Sequence, residues 1–135
     1  MEVVVATPHW NLAAGPPSVQ MIRQRCEQLQ EAIDQRELKL RLLPGAEVAL
    51  SPDLLEIDDD NLPMLAGTRC LLVELLPYTD WEMARRVLFE LQLRKFTVIL
   101  AHPERAAPLH ERYIRAEELP ASAIVMQVAA SSLRG

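Results

Sequence analysis

The stretch Cys70–His102, CLLVELLPYTDWEMARRVLFELQLRKFTVILAH, decides the fold class of this chain of 135 residues. It opens and closes with short apolar runs, Cys70–Val73 and Thr97–Ala101, of the kind that form strands buried on both faces. Between these runs, Thr79–Asp80 can cap a helix that continues to about Arg94. A strand, a helix and a second strand in this order predict two parallel strands joined by a helical crossover.

The same alternation continues on both sides of this unit. Three further apolar runs predict strands at Val3–Ala6, Leu38–Leu43 and Ile124–Val128. After Ser18, apolar residues recur every three or four positions, as in an amphipathic helix, and a weaker helical pattern covers Ala106–Leu119. The order predicts a single α/β domain over residues 1–135, with about five parallel strands and helices on the outside.

Composition argues against several classes of function. The 14 Lys and Arg residues against 19 Asp and Glu give a net charge of -5, with no basic cluster of the kind that binds nucleic acid. No run of 18 apolar residues is present, so we expect no membrane span. The N-terminus does not have the pattern of a signal peptide, and we expect a cytoplasmic protein with Cys26 and Cys70 as buried, reduced thiols.

Four predicted strands end, or nearly end, on a residue type that binds metal ions, namely His9, Glu47, Glu74 and His102. The carboxyl ends of parallel strands in a β/α barrel form one rim, and functional groups collect there. Imidazole and carboxylate groups together suit Mn, Fe or Zn. A single His or Glu after a strand is more often a loop residue or a helix cap, so this pattern alone leaves a metal site and ordinary loop residues about equally supported.

Other chemistries have less support. Ala32 and Leu76 stand six residues after the two cysteines, so the Cys-x5-Arg loop of a cysteine phosphatase is absent. The four glycines form no P-loop, dinucleotide fingerprint or G-x-S-x-G elbow. The acidic run Asp58–Asp60 lacks the spacing of a calcium-binding EF-hand loop, and we expect it to be a solvated loop.

The motifs at the four strand ends, taken together, resemble one known family. In chain order they are Ala6-Thr7-Pro8-His9, Leu43-Pro44-Gly45-Ala46-Glu47, Leu72-Val73-Glu74 and Ala101-His102-Pro103-Glu104-Arg105. This set resembles the PHP (polymerase and histidinol phosphatase) family, in its branch of manganese-dependent tyrosine phosphatases of bacterial capsule and exopolysaccharide synthesis. The resemblance covers nearly the whole chain, and the His-Pro-Glu-Arg segment is its most specific part.

The resemblance implies an enzyme, a protein-tyrosine phosphatase built as a distorted β/α barrel with divalent metals at its rim. The metal would be Mn, with Fe or Zn as alternatives. It implies His9, Glu47, Glu74 and His102 as metal ligands, with His102 and Arg105 in catalysis and Arg105 binding the substrate phosphate. Such a metal polarises phosphoryl oxygens and activates water, while an arginine offers a two-donor fork. The implied substrate is a phosphotyrosine protein, such as a bacterial tyrosine kinase.

The resemblance is incomplete at both ends of the chain. Family members carry a His-x-His strand before these motifs and an Asp-x-His strand after them, and the sequence contains neither. We therefore expect an open, partial barrel with weak or no activity alone and with strand edges through which the chain self-associates. A non-catalytic remnant and an interaction module stay open as alternatives. Arg105 could instead pair with Glu104, and Trp10 and Tyr78 could stack on a phosphotyrosine ring or pack within loops.

Overall fold

The structure is a computed structural model that describes residues 2–77 and 79–101, together with the backbone of residues 124–127. Its strands are β1 (Glu2–Val5), β2 (His9–Trp10), β3 (Leu40–Leu43), β4 (Glu47–Ala49), β5 (Cys70–Glu74), β6 (Thr97–Ala101) and β7 (Ile124–Gln127). Its α-helices are α1 (Val19–Gln35) and α2 (Trp81–Leu93), and short 3-10 turns occupy Leu12–Ala14, Pro52–Glu56, Asp59–Asn61 and Leu65–Gly67. The predictions made for Tyr78, His102, Arg105, Ala106–Leu119 and Val128 lie outside the described residues.

Every strand pairing in the described residues is parallel. Five strands form one sheet in the order β2-β4-β5-β6-β7, and β1 pairs with β3 in a separate two-stranded sheet. The predicted parallel α/β class is therefore confirmed, with strands arranged in chain order. Within the described residues the larger sheet is an open row, with β2 and β7 at its edges.

The first two predicted strands correspond to β1 and β3, but each is followed by a further short strand, β2 or β4, that the apolar runs did not predict. Strands β1 and β3 form the small sheet, and after a short gap the chain enters the large sheet as β2 and β4. The gaps contain Pro8 and Pro44. Proline has no N–H to donate to a strand ladder, so the pairing stops at these positions. His9 and Glu47 consequently begin β2 and β4 instead of following the ends of β1 and β3.

Helix α1 begins at its predicted cap, because the Ser18 hydroxyl accepts a hydrogen bond from the N–H of Met21. Ile22 and Cys26 are buried as the periodicity predicts, but Leu29 is 56% exposed. The helix packs on β3. A strand of four residues spans only about 13 Å, roughly half the length of a helix of this size. The second half of the apolar stripe therefore extends past the strand that would cover it.

Helix α2 lies over the large sheet. The Asp80 carboxylate accepts a hydrogen bond from the N–H of Met83 and caps the helix as predicted. The buried residues of the helix are Trp81, Ala84, Val87, Leu88 and Leu91. They join a hydrophobic core that includes Val48, Leu71, Val73, Val98 and Leu100 from the sheet. Neither α1 nor α2 has the length and hydropathy that a bilayer span requires.

The acidic run Asp58–Asp60 is more than the solvated loop that the sequence predicts. Asp59 accepts hydrogen bonds from Arg94 Nε at 2.8 Å and from Arg69 Nη1 at 3.3 Å. The Arg69 guanidinium also stacks 4.1 Å from the centre of the Phe96 ring. The hydrogen bond from Arg94 is the main cause that lowers the pKa of the Asp59 carboxyl, with Arg69 contributing further. This arrangement joins the turn to the end of α2 and the start of β5.

Candidate metal site

Three of the four predicted ligand residues lie on one face of the large sheet. His9 pairs with Glu47 in the strand register, and Glu47 pairs with Leu72. Glu74 stands two residues beyond Leu72, and alternate residues of a strand share a face. The other face carries core residues such as Val48, which is fully buried. The ligand-type side chains therefore lie on the face of the large sheet opposite α2.

The three side chains converge on a small volume. Nδ1 of His9 lies 3.3 Å from Oε1 of Glu47 and 3.6 Å from Oε2 of Glu74. One ligand-type atom from each residue lies within 4.8 Å of the other two. The side chains of Glu47 and Glu74 are only 12% and 19% exposed, whereas that of His9 is 81% exposed. The carboxylates are thus set into the sheet, with the imidazole on the solvent side.

Backbone hydrogen bonds hold these residues at their spacing. The N–H of Glu47 donates to the carbonyl oxygen of Pro8, the residue before His9, at 2.8 Å. The N–H of Leu50 donates to the carbonyl oxygen of Glu74 at 2.9 Å. The first bond links β4 to the start of β2, and the second links β4 to the end of β5. The relative positions of the three side chains therefore depend on the sheet ladder.

The floor of the site is apolar, a feature that the strand-end motifs do not indicate. Leu72, which pairs with Glu47, is 4% exposed, and Ala49, which pairs with Glu74, is 6% exposed. An apolar floor lowers the local dielectric and strengthens the interaction of the carboxylates with a cation. The alternation of residues along β5 could have indicated Leu72, but only the pairing of β4 with β5 places Ala49 beside the site.

The donor set fits a divalent cation. Two carboxylates held this close repel each other, and a bound cation offsets that repulsion. One imidazole and two carboxylates are a ligand combination used for Mn, Fe and Zn. The exposed imidazole leaves the site open on its solvent side. The residues present can therefore bind a metal ion while leaving room for a further ligand.

The remaining predicted site residues either lie outside the described residues or do not face the candidate metal site. His102, Arg105 and Tyr78 lie outside the described residues, so their roles stay predictions. Trp10 is only 4% exposed, and its indole N–H donates to the carbonyl oxygen of Pro17 at 2.8 Å. Trp10 therefore packs beneath its loop, and stacking on a substrate ring is excluded for this geometry.

The two cysteines are free thiols, but the predicted burial holds only for Cys26, because Cys70 is half-buried. Cys26 is buried, and its thiol lies 3.6 Å from the carbonyl oxygen of Leu42. Burial raises the pKa of the Cys26 thiol, and the nearby carboxylate of Glu27 raises it further. A raised pKa disfavours the thiolate that a cysteine nucleophile needs.

The fold and the site together define a parallel α/β protein with a candidate divalent-metal centre on its open sheet face. Comparison with known families shows to which family within this class of α/β proteins the chain belongs. The family model described as "Capsular polysaccharide synthesis, CpsB/CapC" matches residues 1–135, and the chain therefore belongs to this family. The resemblance to the capsule-type branch of the PHP family is confirmed.

Two curated relatives carry phosphatase names. Tyrosine-protein phosphatase YwqE of Bacillus subtilis (strain 168) is 26% identical over 140 residues, which covers 100% of this chain and 54% of the relative. Putative tyrosine-protein phosphatase CapC of Staphylococcus aureus is 26% identical over 137 residues, which covers 98% of this chain and 52% of the relative. The chain thus spans about half the length of the curated relatives it matches.

A solved structure shares the fold. It belongs to work on YwqE from Bacillus subtilis and CpsB from Streptococcus pneumoniae, described as "unique metal-dependent tyrosine phosphatases". The two structures superpose with a TM-score of 0.84 at 25% sequence identity, over 98% of this chain and 54% of the other. This chain therefore shares its fold with about half of that solved structure.

Proposed function

We propose that this chain contributes the metal site of a divalent-metal-dependent phosphatase that acts on phosphotyrosine in proteins. The observation that carries the proposal is the convergence of His9, Glu47 and Glu74 on a fold shared with metal-dependent tyrosine phosphatases. None of these three residues is adjacent to another in the sequence. The sheet brings these three donors together from separate strands, and the solved structure that shares the fold is described as metal-dependent. Metal binding explains this convergence more simply than chance does.

Mn is the metal we propose first, with Fe or Zn as alternatives. His9, Glu47 and Glu74 would hold it, with His102 as a fourth ligand. Carboxylate oxygens and neutral imidazole are acceptable to all three metals, and the absence of thiolate among these donors favours Mn over softer ions. When bound, such an ion acts as a Lewis acid toward phosphoryl oxygens and lowers the pKa of a water molecule that it binds.

The chain's own residues then have separate tasks. Glu47 and Glu74 supply the negative charge that holds the cation, and their low exposure limits competition from water. His9 lies at the open side of the site, where a phosphate group would approach. Arg105 would bind the phosphate oxygens through two parallel N–H donors, the geometry in which arginine recognises phosphate best.

The proposed substrate is a phosphotyrosine protein such as a bacterial tyrosine kinase. We place the protein in the cytoplasm, and its two free thiols agree with a reducing compartment. We also treat residues 1–135 as part of one PHP-like domain, since the family model matches all of them. Four ligand-type residues are fewer than the resemblance implies for a full metal cluster, so we expect turnover by this chain alone to be weak.

The test is hydrolysis of p-nitrophenyl phosphate, a phosphotyrosine peptide and a phosphoserine peptide, with Mn and then with excess chelator. We expect slow hydrolysis that prefers phosphotyrosine, stops with chelator and falls at least tenfold in Glu74→Gln. Glu31→Gln is the matched control, because it makes the same charge change on the exposed surface of α1. Hydrolysis that persists without metal would contradict the proposal, and metal binding without hydrolysis would favour a non-catalytic remnant.

A further inference from the structure

The gap between β3 and β4 contains a glycine in close contact with three neighbours. A Cβ atom added to Gly45 would lie 2.9 Å from Cδ2 of Leu65, 3.0 Å from Cγ1 of Val5 and 3.2 Å from the carbonyl oxygen of Ala6. Non-bonded carbon atoms normally approach to about 3.5–4.0 Å. The position therefore accepts a hydrogen atom but not a methyl group without movement of its surroundings.

Gly45 lies where the chain passes from the small sheet to the large one. The last bond of the small sheet runs from the N–H of Ala6 to the carbonyl oxygen of Leu43, at 2.9 Å. The next bond runs from the N–H of Glu47 to the carbonyl oxygen of Pro8, at 2.8 Å. Gly45 is midway between Leu43 and Glu47, where the chain passes from β3 in the small sheet to β4 in the large sheet.

A loop closes on the same point from the other side. The N–H of Ala66 donates to the carbonyl oxygen of Pro44 at 2.7 Å, which holds the turn Leu65–Gly67 against the strand break. Ala66 adopts a positive φ of 53°, a conformation that residues other than glycine seldom occupy. The loop is therefore held tightly enough to keep an unfavourable backbone conformation, and it cannot retreat freely from an enlarged Gly45.

We propose that Gly45 is a positioning residue for the candidate metal site. Because Gly45 has no side chain, the link between β3 and β4 can approach Ala6 in the link between β1 and β2, and this close approach places His9 opposite Glu47. Only Ala46 separates Gly45 from Glu47, and Ala46 is fully buried. A displacement at Gly45 therefore passes directly to the ligand instead of being absorbed in a loop. The proposal rests on the proposed function, since it concerns the same ligands.

The expected effect follows from which neighbours can move. The side chains of Leu65 and Val5 can rotate away from a methyl group, but the carbonyl oxygen of Ala6 is backbone. The two strands must separate by a few tenths of an ångström, and Ala6 is only three residues from His9. Loss of a residue that orients a metal ligand typically weakens metal binding by about 10–100-fold. We expect a loss in this range for Gly45→Ala.

The experiment is calorimetric titration of Mn²⁺ into wild type, Gly45→Ala and Gly45→Ala/Leu65→Ala, with the electron paramagnetic resonance spectrum of bound Mn²⁺ as a second readout. We expect weaker binding and an altered spectrum in Gly45→Ala, and partial recovery of both in the double variant, which removes the closest contact. Val87→Ala is the matched control. It removes core contacts from α2, away from the crossing, and we expect it to lower stability while leaving Mn²⁺ affinity unchanged.

Equal affinity in wild type and Gly45→Ala would overturn the inference, as would an equal loss in Val87→Ala. If Gly45→Ala does not fold, Leu65→Phe enlarges the same neighbour, and unchanged affinity in that variant would overturn the inference. Absence of Mn²⁺ binding by wild type would count against the proposed function instead. In that case the crystal structure of Gly45→Ala still decides the point, because an unchanged His9–Glu47 separation would show that Gly45 does not position the pair.

Discussion

Glu47→Gln should separate two effects of the Glu47 carboxylate, its repulsion by Glu74 in the metal-free protein and its contribution to metal binding. The substitution keeps the size of the side chain and removes one of two carboxylates that lie within 4.8 Å of a shared neighbour and of each other. In the metal-free protein this carboxylate is repelled by the nearby carboxylate of Glu74, and the His9 imidazole, 3.3 Å away, offsets part of that repulsion. In the presence of metal the Glu47 carboxylate becomes a ligand. The variant should therefore be no less stable than wild type without metal, but respond far less to Mn²⁺.

The magnitudes follow from the separation and from mass action. The two carboxylates lie within 4.8 Å of each other, and unit charges at that limit repel by about 1 kcal/mol at the dielectric constant of water and by about 3.5 kcal/mol at an effective value of 20. The exposed imidazole and solvent place the expected gain near the lower figure, at about 1 kcal/mol. If the wild-type dissociation constant is about 10 μM, Mn²⁺ at about 1 mM stabilises it by about 2.7 kcal/mol. A hundredfold weaker variant would gain only about 0.4 kcal/mol.

Thermal unfolding with and without Mn²⁺ measures both quantities. At roughly 3 °C per kcal/mol for a chain of this size, wild type should gain roughly 8 °C and Glu47→Gln roughly 1 °C. Glu31→Gln controls for the change in net charge and should respond like wild type. An equal Mn²⁺ response in Glu47→Gln, or a metal-free variant clearly less stable than wild type, would refute the assignment of Glu47 to a metal site.

Three further predictions concern the rest of the fold. Because Arg94 and Arg69 lower the pKa of Asp59, its contribution to stability is complete above the ordinary aspartate value of 3.8 and is lost as pH falls from there through the lower folded value. Urea unfolding should thus show Asp59→Asn destabilised at pH 7, and a difference that persists unchanged at acidic pH would contradict this. Phe96 is 1% exposed, so Phe96→Ala should cost about 3–5 kcal/mol in the same assay without changing Mn²⁺ affinity. Val3 on β1 is 60% exposed, and we expect light scattering to show concentration-dependent association that Val3→Lys reduces; identical scattering by the two proteins would exclude this strand as the contact.

Local patterns in the sequence were sufficient for the element types and for the family. Apolar runs predicted five of the seven strands in the described residues, missing the short strands β2 and β4, and Ser18 and Asp80 predicted the starts of both helices. These features depend on neighbouring residues alone, through side-chain alternation, helical periodicity and the capping of free N–H groups. The motifs ending in His9, Glu47 and Glu74 likewise identified the family and the residues that the structure brings together.

Only the tertiary structure decided the features that depend on pairing between distant segments. The segments that carry β1–β2 and β3–β4 each divide between two sheets, and a proline lies in each gap, Pro8 in the first and Pro44 in the second. Asp59 accepts a hydrogen bond from Arg94, a residue 35 positions away, and is therefore not the simple solvated loop residue that the sequence predicts. The metal site itself depends on the register of β2, β4 and β5, since a shift of one residue would move a ligand to the opposite face of the sheet. Register is set by hydrogen bonds and packing between strands, and these contacts exist only once the chain has folded.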